Sequence, residues 1–462
     1  KQYEFPLYSL SPKKDKFIRD SYLGGRTEVL YKQGKVDGNR FYSLDFTSLY
    51  PFCASANELP YGEPQEKNAS NWNLHGSKTS EWTPDQHKEF EAFYGFVQVK
   101  VRTKNDSIVP LHGVKHNKKL LFPVMDNWID TTLFSEEIKK GLSLNQYEYI
   151  IGDGIGFEKA FILRDYMIDG FKRKAEAKEK GLNCLAQIWK IIINSGYGWL
   201  GLRTKDRDGV EIFERGSPLS LLDVKNLISE ADIGNYTIQR KKKDLPIEDF
   251  NVAVASAITS YARMRLFDLI HAIHTEGGRV FYCDTDSIIC DVDILNTPHL
   301  QKEFMPDKTG DALGSLKNEC NEQLEKAMKK AKGKRREALT ADYEHHMKHE
   351  KGSLYYDKLI TYQAKFYSVQ KTLHSGEVLD ISKCKGYKPD ELNSDTNLSY
   401  EMFEADDTLI QVPQDQFLVP KSGMVNESNS WGVQLKGITK TYNRNYKKGI
   451  VDQHKKIAPI RI

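Results

Sequence analysis

Asp284 and Asp286 stand one residue apart in GRVFYCDTDSIIC (278–290), between two short apolar runs, VFYC and SIIC, that read as the strands of a hairpin. Side chains alternate faces along extended backbone, so such a tip offers one or two ligands in one direction and needs another acid from elsewhere. Asp45, which ends its own apolar run SLDF, is the candidate. Two adjacent strands that each present an aspartate at one level would make a small all-oxygen site suited to magnesium, with water and phosphate completing the coordination. Two ions about 3.5–4 Å apart would then clamp the attacking and leaving oxygens of a phosphoryl transfer. Taken alone, the Asp-Thr-Asp tip reads equally well as an ordinary turn. A calcium loop of the EF-hand type is excluded, because its spacing and closing Glu are absent.

A second group sits in KIIINSGYG (190–198), where Lys190, Asn194 and Tyr197 fall at i, i+4 and i+7. On a helix these share one face. A cation, an amide and an aromatic ring there would suit a triphosphate, a sugar and a base, although amphipathic helices also bring such residues together by chance.

The elements that must position these groups are legible in outline. RFYSLDFTSLYP (40–51) reads as a strand that carries Asp45 and breaks into a helix or turn near Pro51. Residues 57–82 read as turn-rich and polar; FYGFVQVKV (93–101) alternates like a strand, and LLFPV (120–124) is another short apolar run. Residues 164–200 read as helix, charged and then apolar, divided by Gly181 into two antiparallel segments. Residues 203–216 suggest a hairpin. NVAVASAITSYARMRLFDLIHAIH (251–274) has apolar residues at three- and four-residue spacing and reads as a long buried helix that leads into the Asp-Thr-Asp hairpin. Residues 300–350 are charged and helix-prone, LITYQAKFYSVQ (359–370) alternates again, and the last seventy or so residues mix strand and loop. No internal repeat or low-complexity tract is present.

Composition sets wider bounds. A chain of 462 residues can build two to four structural units. With 67 basic and 64 acidic residues the net charge is only +3, so bulk charge does not announce a nucleic-acid partner and the local runs RKKK (240–243) and KKAKGKRR (329–336) matter more. The second run could grip DNA, act as a nuclear import signal or coat a solvated helix. Six scattered cysteines with no CxxC pair argue for free thiols in a reducing, intracellular compartment, with nucleus, cytoplasm and mitochondrion undistinguished. No apolar run approaches the ~18–20 residues that span a bilayer, and no charged-then-apolar leader opens the chain, which argues against a membrane partner and against secretion. The chain begins with Lys rather than Met, which suggests a fragment or a processed product.

DFTSLYP (45–51), KIIINSGYG (190–198) and YCDTDS (282–287), in that order, resemble the three polymerase motifs of family B DNA polymerases. YLGG (22–25), AKFY (364–367) and KCKG (383–386) resemble further motifs of that family, in the correct order. Asp45 and Lys190 lie 145 residues apart and Gly198 and Asp284 lie 86 apart, the two gaps where protein-primed members carry insertions. GGRTEVL, LPYGEP, FYGFVQVKV and KLLFPV resemble that subgroup, found in adenoviruses, terminal-protein phages, linear plasmids and Polinton-type elements.

The resemblance implies an α+β right-hand polymerase with an antiparallel palm sheet, two-helix fingers, a small thumb and two terminal-protein-region insertions. The expected parts are palm over 1–56, a first insertion over 57–163, fingers over 164–200, a second, strand-displacement insertion over 201–250, palm again over 251–386 with a charged insertion at 300–350, and thumb over 387–462. It implies template-directed DNA synthesis, with primer-template DNA, dNTPs and a terminal protein primer as partners. Asp45 and Asp286 would hold two Mg2+ ions, for which Mn2+ may substitute, with the Phe46 carbonyl as a backbone ligand and Asp284 in support. Tyr50, beside Ser48 and Leu49, would stack under the incoming sugar and exclude a 2′-hydroxyl. Lys190 would bind the triphosphate, Asn194 and Tyr197 would line the nucleotide pocket, and Lys178, or its neighbour Lys174, would be a second phosphate contact. Thr285, Lys365 and Tyr367 would hold the primer, and Tyr22, Gly24, Gly25, Ser195 and Gly198 would lie along the template.

Two departures stand out. Only 44 residues precede Asp45, too few for the exonuclease domain usual in the family, so a separate segment bears it or proofreading is absent. Gly196 and Trp199 occupy positions where the family usually has a bulky and a basic residue. Rival readings are a reverse transcriptase-like or RNA polymerase palm, which would favour two adjacent aspartates at the tip, and a non-catalytic DNA- or terminal-protein-binding subunit.

Overall fold

The computed structural model describes residues 8–31, 40–104, 109–116, 119–202, 208–214, 227–233, 236–242, 250–307, 309–385, 400–404, 409–418, 434–443, 448–451 and 457–461. At its centre lies a five-stranded antiparallel sheet in the order Thr27–Val29, Val280–Asp284, Ser287–Cys290, Tyr42–Phe46, Leu316–Asn318. Its middle strands are apolar on both faces because both faces are covered. Leu44, Cys283, Ile288 and Cys290 belong to the core built around the helix Val252–Thr275. Phe281, Tyr282 and Ile289 belong to a second core with Leu324, Leu339, Tyr356 and Tyr367. The period-2 alternation of the hairpin therefore feeds two cores, not a core and solvent.

Val252–Thr275 is the long helix expected from the spacing. The Asn251 side chain caps its first turn by accepting from Ala253 N at 3.0 Å, and Gly277, at φ 76, ends it while Gly278 N–H returns to Ile273 O at 3.0 Å. The helical reading of 164–200 gives Arg164–Glu179 and Asn183–Leu200, joined through Gly181 at φ 69. The second helix runs unbroken through Gly196 and Gly198. Its base is tied down by two arginines: Arg164 Nε donates to Ser55 O at 2.9 Å, and the Arg19 guanidinium donates to Gly201 O and Leu202 O, each at 2.8 Å.

Residues 57–163 hold a four-stranded antiparallel sheet in the order Leu59–Lys67, Tyr147–Ala160, Gly95–Thr103, Ile129–Phe134. The turn-rich reading of 57–82 holds from 68 onward and is corrected over Leu59–Lys67. Pro60, Gly62 and Pro64 lie in an edge strand that slips register between Tyr61 and Gln65, where missing N–H groups are tolerated. The helix Ser135–Ser143 docks this unit on the long helix through a buried ion pair, Arg263 Nη2 to Glu137 Oε1 at 2.8 Å, and Arg263 also donates to Leu23 O at 2.7 Å.

The hairpin expected at 203–216 is also corrected. Its second half, Asp208–Glu214, is one strand of a three-stranded sheet, with Tyr236–Lys242 in the centre and Leu227–Ile233 beyond. Arg240, Lys241 and Lys242 of the basic run lie on the central strand's backbone, and Lys243 is outside the described residues. The 300–350 stretch, read as a charged insertion, supplies the edge strand Leu316–Asn318 of the central sheet, with the helices Glu319–Lys330 and Gly333–His349 behind it. LITYQAKFYSVQ forms the hairpin Lys358–Gln363/Phe366–Thr372, which continues to Val378–Cys384. Gly386 of KCKG is outside the described residues. Toward the C-terminus Leu409–Leu418 pairs with Gln434–Asn443, and Ile457 N–H returns to Leu30 O at 2.8 Å. All six cysteines are free, five of them buried. Among the described residues no helix is long and apolar enough to cross a membrane.

Candidate active site

Asp45 sits where three strands meet, opposite Ser287 on one side and Lys317 on the other. The neighbouring hairpin closes through the two-residue loop Thr285-Asp286. Thr285 has φ 65, a conformation that short hairpins normally reserve for glycine and that is strained for a β-branched residue. Its neighbours hold it there. Thr285 N–H donates to Arg26 O at 2.6 Å, and Gly25 packs so closely that a Cβ would stand 2.6 Å from Thr285 Cγ2. Arg26 is itself buried and paired with Glu28 at 2.6 Å. Asp286 O accepts from Phe46 N–H at 2.7 Å, which fastens the tip to the strand of Asp45. The two sequence-distant aspartates thus come together.

The two hairpin carboxylates face different ways because the chain reverses at Thr285-Asp286; along extended backbone residues two apart would share a face, so the turn and not alternation separates them. Asp286 joins Asp45 and Phe46 in the wall of a cavity of about 670 Å³. Asp284 turns from it, accepting from Thr27 Oγ1 at 3.0 Å and Tyr282 OH at 3.1 Å, with Lys365 Nζ at 3.5 Å. Burial, then the nearby Asp286 and Glu319, push the Asp45 carboxyl up to about 8. Burial, with Asp284 and Glu319 adding to it, pushes Asp286 up to about 6. Two half-buried carboxylates that disfavour each other's charge form a site short of positive charge at its floor. Among the described residues no group of three or more His, Cys, Asp or Glu could hold a metal unaided. Two hard carboxylates with room for phosphate and water nevertheless fit Mg2+, which rarely takes an all-protein cage.

Across the cavity stands the helical hairpin, which contributes Lys174, Lys178, Lys190 and Asn194 to its lining. Among the described residues none of these three lysines is ion-paired. Lys174 Nζ donates to Ser48 Oγ at 3.3 Å, and burial, then Lys190, Lys178 and Lys317, lower its affinity for a proton. Both lysines weighed in the sequence therefore reach the cavity. Ser48 has φ 57 and opens the helix Leu49–Ala56, in which Leu49 is buried in the core. The Tyr50 ring stacks on Tyr197 at 4.5 Å between centroids and 29° between planes. Of the face Lys190, Asn194, Tyr197, the first two line the cavity and the third packs on Tyr50 beside it.

The remaining candidates flank the centre. The Tyr282 ring lies 4.8 Å from Tyr367, and its hydroxyl accepts from Lys365 N at 2.9 Å; Lys365 is the third residue here with positive φ, at 58. Lys383 is exposed, and against the partial desolvation of its ammonium Tyr367, Glu319 and Asp45 together raise its pKa. Tyr22 lies under Gly201, where a Cβ would meet its hydroxyl at 2.6 Å. A Cβ on Gly24 or Gly198 would meet nothing within 4 Å, and Ser195 is exposed with its hydroxyl on Ile192 O at 3.2 Å. Sequence reasoning missed Lys317, Asp311, Glu319 and Glu322, all from the charged 300–350 stretch. An alternating Leu-Lys-Asn before a helix start was the only signal.

The fold is that of a right-hand polymerase, and the chain belongs to the family of type B DNA polymerases, organellar and viral, whose model matches residues 1–276. It is 29% identical over 310 residues to a probable DNA polymerase of Podospora anserina, covering 60% of this chain and 23% of that protein. It is 27% identical over 288 residues to the DNA-directed DNA polymerase of Enterobacteria phage PRD1, covering 62% of this chain and 45% of that one. Phi29 DNA polymerase complexed with primer-template DNA and incoming nucleotide superposes with a TM-score of 0.57 at 16% identity, over 95% of this chain and 63% of that one. At that identity the likeness concerns the fold alone. The chain thus spans less than two thirds of each of these proteins.

Proposed function

We propose that the chain is the catalytic part of a DNA polymerase that transfers nucleotides from dNTPs to a primer 3′-hydroxyl. The observation that carries this reading is the pairing of half-buried Asp45 and Asp286, 241 residues apart in sequence, at the floor of a lysine-walled cavity. Asp45 and Asp286 would hold Mg2+, which when bound activates the primer hydroxyl and neutralises charge on the leaving pyrophosphate. The protein otherwise acts by positioning. Lys190, with Lys174 and Lys178, receives the triphosphate, while Asn194 lines the same pocket. Tyr50, braced by Tyr197, lies under the sugar. Thr285, Lys365 and Tyr367 border the primer end, with Asp284 holding Tyr282 and Lys365 in place. Tyr22, Gly24, Gly25, Ser195 and Gly198 follow the template.

Protein priming is the finer part of this reading. It rests on the resemblance of the insertions and on the similarity to the phage PRD1 polymerase, and it implies a terminal protein as partner. Nucleus, cytoplasm or mitochondrion, each a reducing compartment, would suit the free cysteines.

The test is extension of a primed DNA template by the purified chain with Mg2+ and dNTPs. Extension supports the reading, and none from a folded chain, even with a terminal protein, would sink it. Tyr50→Val should admit ribonucleotides, raising rNTP over dNTP incorporation on the order of 10²-fold; unchanged discrimination would remove Tyr50 from the sugar site. Gly25→Ala should slow single-nucleotide extension about 10²-fold by displacing Thr285. Adding Thr285→Gly should recover most of that loss, whereas Gly24→Ala, which meets open space, should cost little. A loss equal in both alanine variants would contradict the packing argument.

A further inference from the structure

Lys317 lies outside the helical hairpin that supplies the other three phosphate-seeking lysines. It stands directly opposite Asp45 in the antiparallel register, so the two side chains leave the sheet on the same face and both line the cavity. Lys174, Lys178 and Lys190 approach from the opposite wall. Lys317 is engaged differently from those three: its Nζ lies 3.2 Å from Asp311 Oδ1 and 3.8 Å from Glu322 Oε1. Asp311 is 68% exposed, so this ion pair is screened by water and of little strength. Glu322 has a second partner in Lys326 at 3.2 Å. Lys317 can therefore exchange a weak carboxylate contact for a phosphate without leaving a buried charge behind.

The loop that carries Asp311 is shaped for a fixed wall. Asp307 accepts from Gly310 N, Ala312 N and Ser315 Oγ at 3.0, 2.6 and 2.6 Å. Thr47, beside Asp45 and Phe46, is bonded to the same loop through Gly310 O at 2.5 Å and Ser315 O at 2.9 Å. Lys317 is thus held at a set distance from the aspartate pair, where the tail of a nucleotide seated on them would lie.

Resting on the polymerase reading above, we propose that Lys317 is a positioning residue that grips the terminal phosphates of the incoming nucleotide from the sheet side, leaving Asp311 as it does so. A phosphate clasped from both walls is fixed in direction, which lysines from the helical hairpin alone do not achieve. Charge-assisted contacts of this kind are the strong ones.

The experiment is calorimetric binding of Mg2+·dATP and, separately, of primer-template DNA to the parent chain, Lys317→Ala, Lys317→Arg, Asp311→Asn and Lys190→Ala. Lys317→Ala should weaken dATP about 10- to 100-fold, with DNA affinity and melting temperature unchanged. Lys317→Arg should restore binding to within about threefold, and Asp311→Asn should match or exceed the parent. Lys317→Ala binding dATP within twofold of the parent, or losing DNA affinity and stability in parallel, would overturn the proposal. Lys190→Ala separates the levels: if it weakens dATP while Lys317→Ala does not, only this inference fails. If the parent binds no dATP, the polymerase reading falls and takes the inference with it.

Discussion

Asp286→Asn is expected to lower primer extension about 10³-fold or more and, in the metal-free chain, to raise stability by about 1–3 kcal/mol. Asp45→Asn should do the same. Both carboxyls are half-buried beside each other with Glu319 near, and both are pushed above the ordinary carboxylate range, to about 6 for Asp286 and about 8 for Asp45. The folded chain therefore holds protons that the unfolded chain has released between an ordinary pH of about 4 and those raised values. Stability should be greatest below that window and fall as pH rises through it, and either Asn substitution should flatten the fall. Mg2+ should flatten it too, by binding the ionised pair. Denaturant melts at pH 5 and pH 8, with and without EDTA, measure this. A parent with equal stability at the two pH values would show that the pair is not under electrostatic tension.

Arg263→Met should destabilise the chain by about 3–5 kcal/mol, which is larger than the cost of most core truncations. The side chain is 1% exposed and its partner Glu137 3% exposed, so the substitution strands a carboxylate inside the protein and also releases Leu23 O. Glu137→Leu added to Arg263→Met should recover a good part of the loss, because two apolar groups replace two charges. The urea midpoint is the readout. A double variant no more stable than the single one would mean that the arginine acts through Leu23 and Gly24 alone, as a clamp on the loop beside Thr285.

What the sequence made legible was local. The strand of Asp45, the Asp-Thr-Asp tip, the break at Gly181 and the helix 252–275 each carry their own period or their own glycine within a few residues. Lys317 and Glu319 were not legible as site residues, because Leu316–Asn318 is three residues long and finds its partner strand about 270 residues upstream. The charge around it reads as solvated helix until the pairing is known. Leu59–Lys67 was hidden by its two prolines, which only an edge position tolerates. Arg263 was hidden among apolar neighbours, since a helix that is buried on nearly every side gives no periodic sign that one of its positions is ionised. The facing of Asp286 into the cavity, with Asp284 turned away, did not follow from alternation, which would put both on one face; it comes from the turn at Thr285-Asp286, and only the family resemblance singled out Asp286.

The two arginines at the base of the helical hairpin give the molecule a mechanical property. Arg19 fixes the carbonyls at Gly201 and Leu202, and Arg164 fixes the start of the other helix to Ser55. The hairpin is therefore a lever with its fulcrum at that end. Lys190 lies about 16 Å along the arm and Lys178 beyond it, nearer the free end, whereas Tyr197 is about one turn from the fulcrum. A tilt of about 10° would swing Lys190 by ~3 Å, enough to make or break a phosphate contact, while moving Tyr197 by ~1 Å and leaving its stack on Tyr50 in register. On the nucleotide reading proposed above, grip on the charged tail and fit around the sugar would thus be set independently by one rigid arm.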